Sequence, residues 1–470
     1  MASLGSLTGP AKLQAVSSLL DKLSADLDAN DLTTREREDA LEELKIYGRD
    51  TRNAGPIFTK KGVEILTRHA FNNPSSTTSR NALKVLCNAM LLAPGTRQMF
   101  VDLGCEAKAI SQLRNDNRDD EFLVSRLIFL TTYNTTVDLH NLIDEHKLAD
   151  AIVENISRHA TRLNVDDAAK SKVDPMEDMA LIETLKLLFN VTRFCEDRIA
   201  LFSGALSPIV NLLQRLDIPS PSKPLDPPFS PLVNALMNFK LDNQNDQALL
   251  FPADEPSALV NRLVELLDLS IKSYPENELE QVVTPLVCVV SSVYDQAPGN
   301  IRELMKKKLL PTEQDRQGVL GKGDSLTARL LRNSNNITTP EFAKAISHLL
   351  FELSDKNGST FVQNVGYGYA AGFLFRNNIA VPESVKEGHN VGGGQGSAGR
   401  AVNPITGQFL DAENMPELPE MTDEEKEREA ERLLKKLGVM SVQNPVEQAA
   451  REGRLEELPD DYEEEDGKKK

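Results

Sequence analysis

Apolar residues recur along this chain with a helical period. Leu13, Val16, Leu19, Leu20, Leu23 and Leu27 lie three or four apart, one stripe of an amphipathic helix. Asp31 to Thr34 offer caps for a second helix, with Ala40, Leu41, Leu44 and Ile46 inward and Gly48 at its end. The pattern then changes. Arg80 to Met90, Glu183 to Phe194, Pro231 to Phe239 and Pro285 to Val293 carry apolar residues on every side, as helices enclosed by other helices would. Each also holds a polar residue five after a leading apolar one. Leu83 pairs in this way with Asn88, Leu185 with Asn190, Val233 with Asn238 and Leu286 with Ser291; Leu127 to Thr132 and Leu349 to Ser354 follow more loosely. A buried amide or hydroxyl needs a partner. Stacked repeats supply one, because equivalent polar groups of successive units can bond as a ladder.

The polar positions are 44, 58, 48, 53 and 63 residues apart. Armadillo and HEAT units run at roughly 40–47 residues, so several steps need insertions. The polar stretch Asn164 to Glu177 is one. Asp217 to Pro231, with six prolines, is another and bars a helix. Outer amphipathic helices are expected between the inner ones, over Leu139 to Ile156 and Ala258 to Ile271. After Phe375 the pattern fades into Pro382 to Arg400, rich in glycine, and the turn Asn403-Pro404-Ile405-Thr406-Gly407. One further helix is predicted over Asp423 to Leu437, opened by a Thr422-x-x-Glu425 capping box. The reading is therefore an all-α, armadillo/HEAT-like helical-repeat solenoid over residues 1–380. A flexible Gly/Pro-rich linker follows over 381–419, then a C-terminal helix and acidic disordered tail over 420–470.

Composition narrows the function. Aromatics are 5% of the residues and Trp is absent, so Leu, Ala and Val carry the core, as helices prefer. Cys87, Cys105, Cys195 and Cys288 form no CxxC, and the six His show no metal-ligand spacing, so neither a disulfide framework nor a metal is expected. Met1 to Pro10 lacks the pattern of a secretory signal, and no apolar run approaches about 18 residues, so no membrane span is expected. The net charge is −18, and from Asp411 onward 20 acidic residues face 10 basic ones. Nucleic acid and anionic lipid are poor partners for such a chain; a protein partner suits it better.

Two glycine motifs suggest nucleotide binding. Gly321-Lys322-Gly323-Asp324-Ser325 lacks the spacing of a phosphate loop and reads instead as a loop leading to a helix cap at Asp324 or Ser325. Gly366-x-Gly368-x-x-Ala371 follows Phe361 to Val365 as a dinucleotide fingerprint follows a strand, but no strand–helix alternation surrounds it. It reads as a turn into a short helix over Ala370 to Phe375. No nucleophile–base–acid set stands out. Lys84, Arg126, Lys186 and Arg193 lie on or beside the inner segments, with Arg329 and Arg332 on a later helix. Together they would place positive spots along a groove suited to a partner helix ending in a carboxylate.

These segments, taken in order, resemble the synembryn (resistance to inhibitors of cholinesterase) family. The resemblance rests on ALKVLCN (Ala82 to Asn88), LKLLFN (Leu185 to Asn190), NALMNF (Asn234 to Phe239), LLP…DR…GDSL.ARLLR (Leu309 to Arg332), FV…GYG.AAG (Phe361 to Gly372), NPITG from Asn403, and EMTDEEKEREAERL (Glu420 to Leu433). The wording is similar to fungal members. The resemblance implies a non-catalytic guanine-nucleotide exchange factor and folding chaperone for heterotrimeric G-protein α subunits, without a cofactor, acting as a monomer. It implies that the solenoid's concave face takes the Gα C-terminal helix and stabilises the nucleotide-free state. Lys84, Asn88, Arg126, Lys186, Asn190, Arg193, Asn238, Arg329 and Arg332 are the expected contacts, and Thr422 is a candidate phosphorylation site. Charge reversal at Arg329 and Arg332 is expected to weaken binding without unfolding. A cytoplasmic location is expected, with recruitment to the cell cortex or inner plasma-membrane face. Two features depart from the family: glycines replace an acidic Ser/Thr stretch over Gly388 to Gly399, and the helix after Thr422 is short. The alternative reading is a general armadillo scaffold or transport adaptor that binds extended peptides.

Overall fold

The computed structural model describes residues 7–165, 174–242, 244–380, 400–413 and Arg428. The chain divides into two units, residues 1–412 and 413–470. The first unit is built from α-helices. An isolated antiparallel bridge joins Val402 and Phe409.

The chain begins with α1 (Gly9–Ala29) and α2 (Thr34–Tyr47), followed by α3 (Lys60–Asn72) and α4 (Ser76–Leu92). The next group is α5 (Gly95–Val101), α6 (Glu106–Leu113), α7 (Arg118–Thr131), α8 (Leu139–Asp144), α9 (Leu148–Val165) and α10 (Pro175–Phe194). Then come α11 (Leu206–Arg215), α12 (Phe229–Met237), α13 (Gln244–Leu250), α14 (Ala258–Ser273), α15 (Glu276–Val282) and α16 (Thr284–Gln296). The unit's helices end with α17 (Gly299–Leu309), α18 (Leu326–Ser334), α19 (Pro340–Leu353), α20 (Gly358–Val365) and α21 (Tyr367–Arg376).

An inner row runs through the stack: α2 packs on α4, α4 on α7, α7 on α10, α10 on α12, α12 on α16 and α16 on α19. Helices of a second row cover it, with α3 on α4, α6 on α7, α9 and α11 on α10 and α12, α14 on α16, and α18 on α19. Each unit meets its sequence neighbours, which makes this an armadillo/HEAT-like solenoid. The leading apolar residues Leu83, Leu127, Leu185, Val233, Leu286 and Leu349 are all buried in one continuous core.

Local chemistry starts the helices where the sequence indicates. Thr33 and Glu36 form a reciprocal capping box on α2. Ser75, Asn117 and Asp174 cap α4, α7 and α10 through their side chains. Two boundaries differ from the sequence reading. The outer helix expected over Leu139 to Ile156 is two helices, because Lys147 takes a left-handed conformation (φ 61°) between α8 and α9. The proline-rich stretch also yields to α12 at Phe229, since Pro231 sits in the first turn, where its missing N–H has no partner to lose.

Residues 400–412, read as part of the linker, are folded onto the end of the solenoid and belong to the first unit. Of the helix predicted after Thr422 only Arg428 is among the described residues, and it is helical; the glycine stretch 388–399 lies outside them.

Candidate functional site

The inner row leaves one face of α4, α7, α10 and α12 uncovered. On α4, Lys84 and Asn88 are half-buried, followed by exposed Leu91 and Leu92. On α7 the positions Phe122, Arg126 and Phe129, continued by Tyr133 just past the helix, share one side at helical spacing. On α10 the same side carries Met179, Lys186, Phe189 and Arg193, with Phe194 more than half exposed at its end.

Cations and rings alternate across these helices. The Lys186 ammonium lies 5.2 Å from the Phe129 ring centre, bridging α10 to α7. Arg126 lies 5.4 Å over Phe122, and Arg97 of α5 lies 5.9 Å over Tyr133. Phe129 and Tyr133 meet edge to face at 5.2 Å. Lys186 also pairs with Glu183 at 2.6 Å, whereas Lys84 and Arg126 have no carboxylate within 4 Å among the described residues. Arg193 is exposed and pairs with Glu196 at 3.2 Å. The result is a strip of apolar rings carrying uncompensated positive charge, on an otherwise acidic chain.

The polar positions of the repeat stitch this strip together. Asn190 donates to the Thr132 hydroxyl at 2.7 Å. Asn238 donates to the Phe189 carbonyl and the Thr192 hydroxyl, both at 2.9 Å. Ser291 donates to Glu352, and Asn364 donates to Ser354 at 3.0 Å. Asn190 is buried, so its amide holds neighbouring helices rather than facing a partner. Asn88 makes no such bond among the described residues and is half-buried.

An ionic cluster stiffens α7, α9 and α10 behind the strip. The buried His159 ring contacts Glu121 at 2.9 Å and Glu177 at 2.5 Å, while Thr184 donates to Glu121 at 2.7 Å. Burial alone would lower the His159 pKa, but hydrogen bonds and charge from Glu121 and Glu177 outweigh it and push it up to about 9. Burial would raise Glu177, yet His159 and Arg162 hold it at about 2. Nearby, Arg80 grips Asp120 with two bonds of 2.8 and 3.1 Å. Asp120 therefore stays below the usual carboxylate range despite its burial.

Arg329 and Arg332 are placed differently from the sequence expectation. Arg329 is buried, with its guanidinium held by Asp268 of α14 and by the carboxylate and carbonyl of Asp324. It is a strut between α14 and α18, so reversing its charge would break the fold locally and could not leave it intact. Arg332 is exposed but bonds the carbonyls of Gly321 and Gly323 at 2.5 and 2.6 Å. These bonds also dispose of the phosphate-loop motif, whose carbonyls are turned toward arginines. Ser325 caps α18 by accepting from the Ala328 N–H. A cleft of about 710 Å³ beside this loop holds Asp315, which already accepts from Thr312, Ser325 and Thr327.

The dinucleotide-like motif is likewise accounted for. Phe361 to Val365 is helical rather than extended, and Gly366 ends α20 and opens α21. The structure does bring His140, Asp197 and Cys195 together, with ring-to-carboxylate and ring-to-sulfur distances of 3.1 and 4.0 Å. Cys195 is buried, however, and burial raises its thiol pKa, the reverse of what a nucleophile needs. No cluster of three or more metal-ligating side chains occurs among the described residues. None of the helices among those residues is long and apolar enough to cross a membrane.

The aromatic half of the strip was missed from sequence. Phe122, Phe129 and Phe189 read as core, and only their shared register with Arg126 and Lys186 separates them from it. Thr422 lies outside the described residues.

The fold defines a helical-repeat protein, and the strip is its candidate binding face. The family described as guanine nucleotide exchange factor synembryn matches residues 40–454, and the chain belongs to it. A synembryn-like chaperone of Schizosaccharomyces pombe is 26% identical over 372 residues, 73% of this chain and 67% of the relative. The chaperone Ric-8A of Xenopus tropicalis is 23% identical over 474 residues, 89% of this chain and 84% of the relative. The chaperone Ric-8B of Mus musculus is 23% identical over 398 residues, 71% and 74% of the two chains. A designed armadillo repeat protein aligns with TM-score 0.39 and 16% identity, over 60% of this chain and 99% of its own.

Proposed function

We propose that this chain releases GDP from heterotrimeric G-protein α subunits and chaperones their folding by holding the nucleotide-free state. The supporting observation is the cation–aromatic strip on consecutive inner helices of a synembryn-family chain. An amphipathic helix ending in a carboxylate matches it: apolar side chains against Leu91, Phe129 and Phe189, acidic groups against Lys84 and Arg126. The Gα C-terminal helix is the proposed occupant.

The mechanism is coupling between binding sites and needs no bond-making residue. A protein that prefers the loosened, empty Gα must lower its affinity for GDP. By linkage, nucleotide must lower the affinity of Gα for this chain by the same factor. Chaperoning follows from the same preference, since a nascent Gα resembles the loosened state. The extended-peptide alternative fits the strip less well. Its natural gripping groups, the repeat amides of Asn190 and Asn238, are already spent on Thr132, Phe189 and Thr192.

Titration of the purified chain against Gα, followed by calorimetry, should show tight binding without nucleotide and weaker binding when GDP or GTP is saturating. Equal affinity in all three states would reject the exchange mechanism.

A further inference from the structure

The proline-rich stretch between α11 and α12 forms a surface loop clamped at both ends. On the entry side Arg262 of α14 donates to the carbonyls of Leu213, at 3.1 Å, and Leu216. On the exit side the Leu225 N–H donates to the hydroxyl of buried Tyr274 at 3.1 Å. Pro224 and Leu225 are buried there as well. Between the clamps Asp217, Pro219, Pro221, Ser222 and Lys223 are exposed, while Ile218 and Ser220 are half-buried.

Ser220 opens a turn at the tip of this loop. The Lys223 N–H donates to the Ser220 carbonyl at 3.1 Å, with Pro221 in the second position, where its fixed φ suits a turn. The Ser220 hydroxyl meets the Ser222 hydroxyl at 2.8 Å and accepts from the Ser222 N–H at 3.3 Å, both at the surface. The end of α14 also reaches the turn, where the Ser273 hydroxyl donates to the Pro221 carbonyl at 2.7 Å.

Ser220-Pro221-Ser222-Lys223 has the chemistry that proline-directed kinases read. A proline after the acceptor offers no N–H and biases the acceptor toward an extended backbone. A kinase site that leaves no partner for that N–H takes Ser-Pro or Thr-Pro, and a carboxylate further along it pairs with a cation three residues on. Five Ser or Thr residues precede proline in this chain: Ser207, Ser220, Ser230, Thr284 and Thr339. Ser207, Ser230 and Thr284 lie in the first turns of α11, α12 and α16, and Thr339 is buried at the start of α19. Reading any of these four as an extended chain means unwinding a helix that carries the core. Three residues after them stand Val210, Val233, Val287 and Phe342, all buried. Of the five, Ser220 alone lies in a loop and alone has a cation, Lys223, at that position.

We propose that Ser220 is a phosphorylation site for a proline-directed Ser/Thr protein kinase. The kinase's aspartate accepts the hydroxyl proton while Ser220 Oγ bonds the γ-phosphorus of ATP. The bond from that phosphorus to the β-phosphate oxygen breaks, and ADP leaves. The turn opens for the kinase by releasing its own bonds and the one from Ser273, with both clamps in place. The product adds about −1.5 to −2 charges between α11 and α12. The site stands independently of any action on Gα.

The experiment incubates the purified full chain with Mg-ATP and a cyclin-dependent kinase, a proline-directed enzyme, and maps the product by mass spectrometry. Wild type should take up one phosphate, on Ser220. Ser220→Ala should take up none, and Lys223→Ala should be modified about tenfold more slowly, the loss of one charge-assisted contact. Both variants should melt with wild type. Chain isolated from growing cells of its own source should carry phosphate on Ser220. A synthetic peptide spanning Gln214 to Asp226 that is modified readily beside an unmodified chain would show that the folded loop withholds the serine, and overturns the proposal. Phosphate placed on Ser207, Ser230, Thr284 or Thr339 instead overturns it too. Lys223→Ala modified at the wild-type rate overturns the reading of Lys223, and Ser220 found wholly unmodified in the native chain overturns the site in the cell.

Discussion

His159 shows what one side chain contributes to the frame behind the strip. Its ring joins Glu121 of α7 to Glu177 of α10 inside the protein, and it is held charged, with a pKa of about 9 against about 6.5 in an unfolded chain. A raised pKa means that the folded state binds the proton more tightly. The stabilisation is complete below about pH 6.5, declines above it and is lost once the pH passes about 9. Thermal melts from pH 6 to about 9.5 should therefore show falling stability. His159→Gln should be less stable at pH 6 and show a flatter decline. Parallel pH profiles for the two proteins would contradict this assignment. The residue was visible in the sequence only as one of six scattered histidines, because its partners lie 38 and 18 positions away on other helices.

Element by element, the inner helices were the most legible part. Segments apolar on all sides, each with a single amide or hydroxyl, cannot stand alone in water, and a stack that pairs those groups resolves both problems. Asn190 and Asn238 do pair across neighbouring helices as that reasoning requires. What the sequence hid was contact at long range. Asn403 to Gly407 shows only turn chemistry locally, and nothing in it announces its bonds to Arg316 and α21. Phe122 and Phe129 could not be told from core residues, since an aromatic at helical spacing reads the same whether it faces a neighbour or a groove. Arg329 was misjudged for a related reason: a cation in a helix near its start reads as exposed until Asp268, 61 residues earlier, is seen to meet it. As a strut between α14 and α18, Arg329→Ala should cost about 2 kcal/mol, by stranding the half-exposed Asp268 and freeing Asp324. Arg332→Ala, which only loses exposed bonds to two carbonyls, should cost well under half of that. Chemical denaturation of the two variants decides it, and equal midpoints would contradict the strut.

At the scale of the whole molecule, the solenoid turns separate short segments into one surface. No single helix holds the strip; α4, α7 and α10 each add a few residues, kept in register by amides between them and by the His159 cluster behind. Rigidity of this kind suits a protein proposed to hold another in a loosened state, because the holder must not deform in exchange. The net charge of −18 matters here too: on such a chain, Lys84 and Arg126 stand on this face with no carboxylate within 4 Å among the described residues. The most direct measurement is the rate of GDP release from Gα at saturating concentrations of wild-type chain and of Lys84→Glu/Arg126→Glu. The account predicts accelerated release by wild type. It predicts little or no acceleration by the double variant, at an unchanged melting temperature. Release unaffected by wild type, or accelerated equally by a folded double variant, would contradict it.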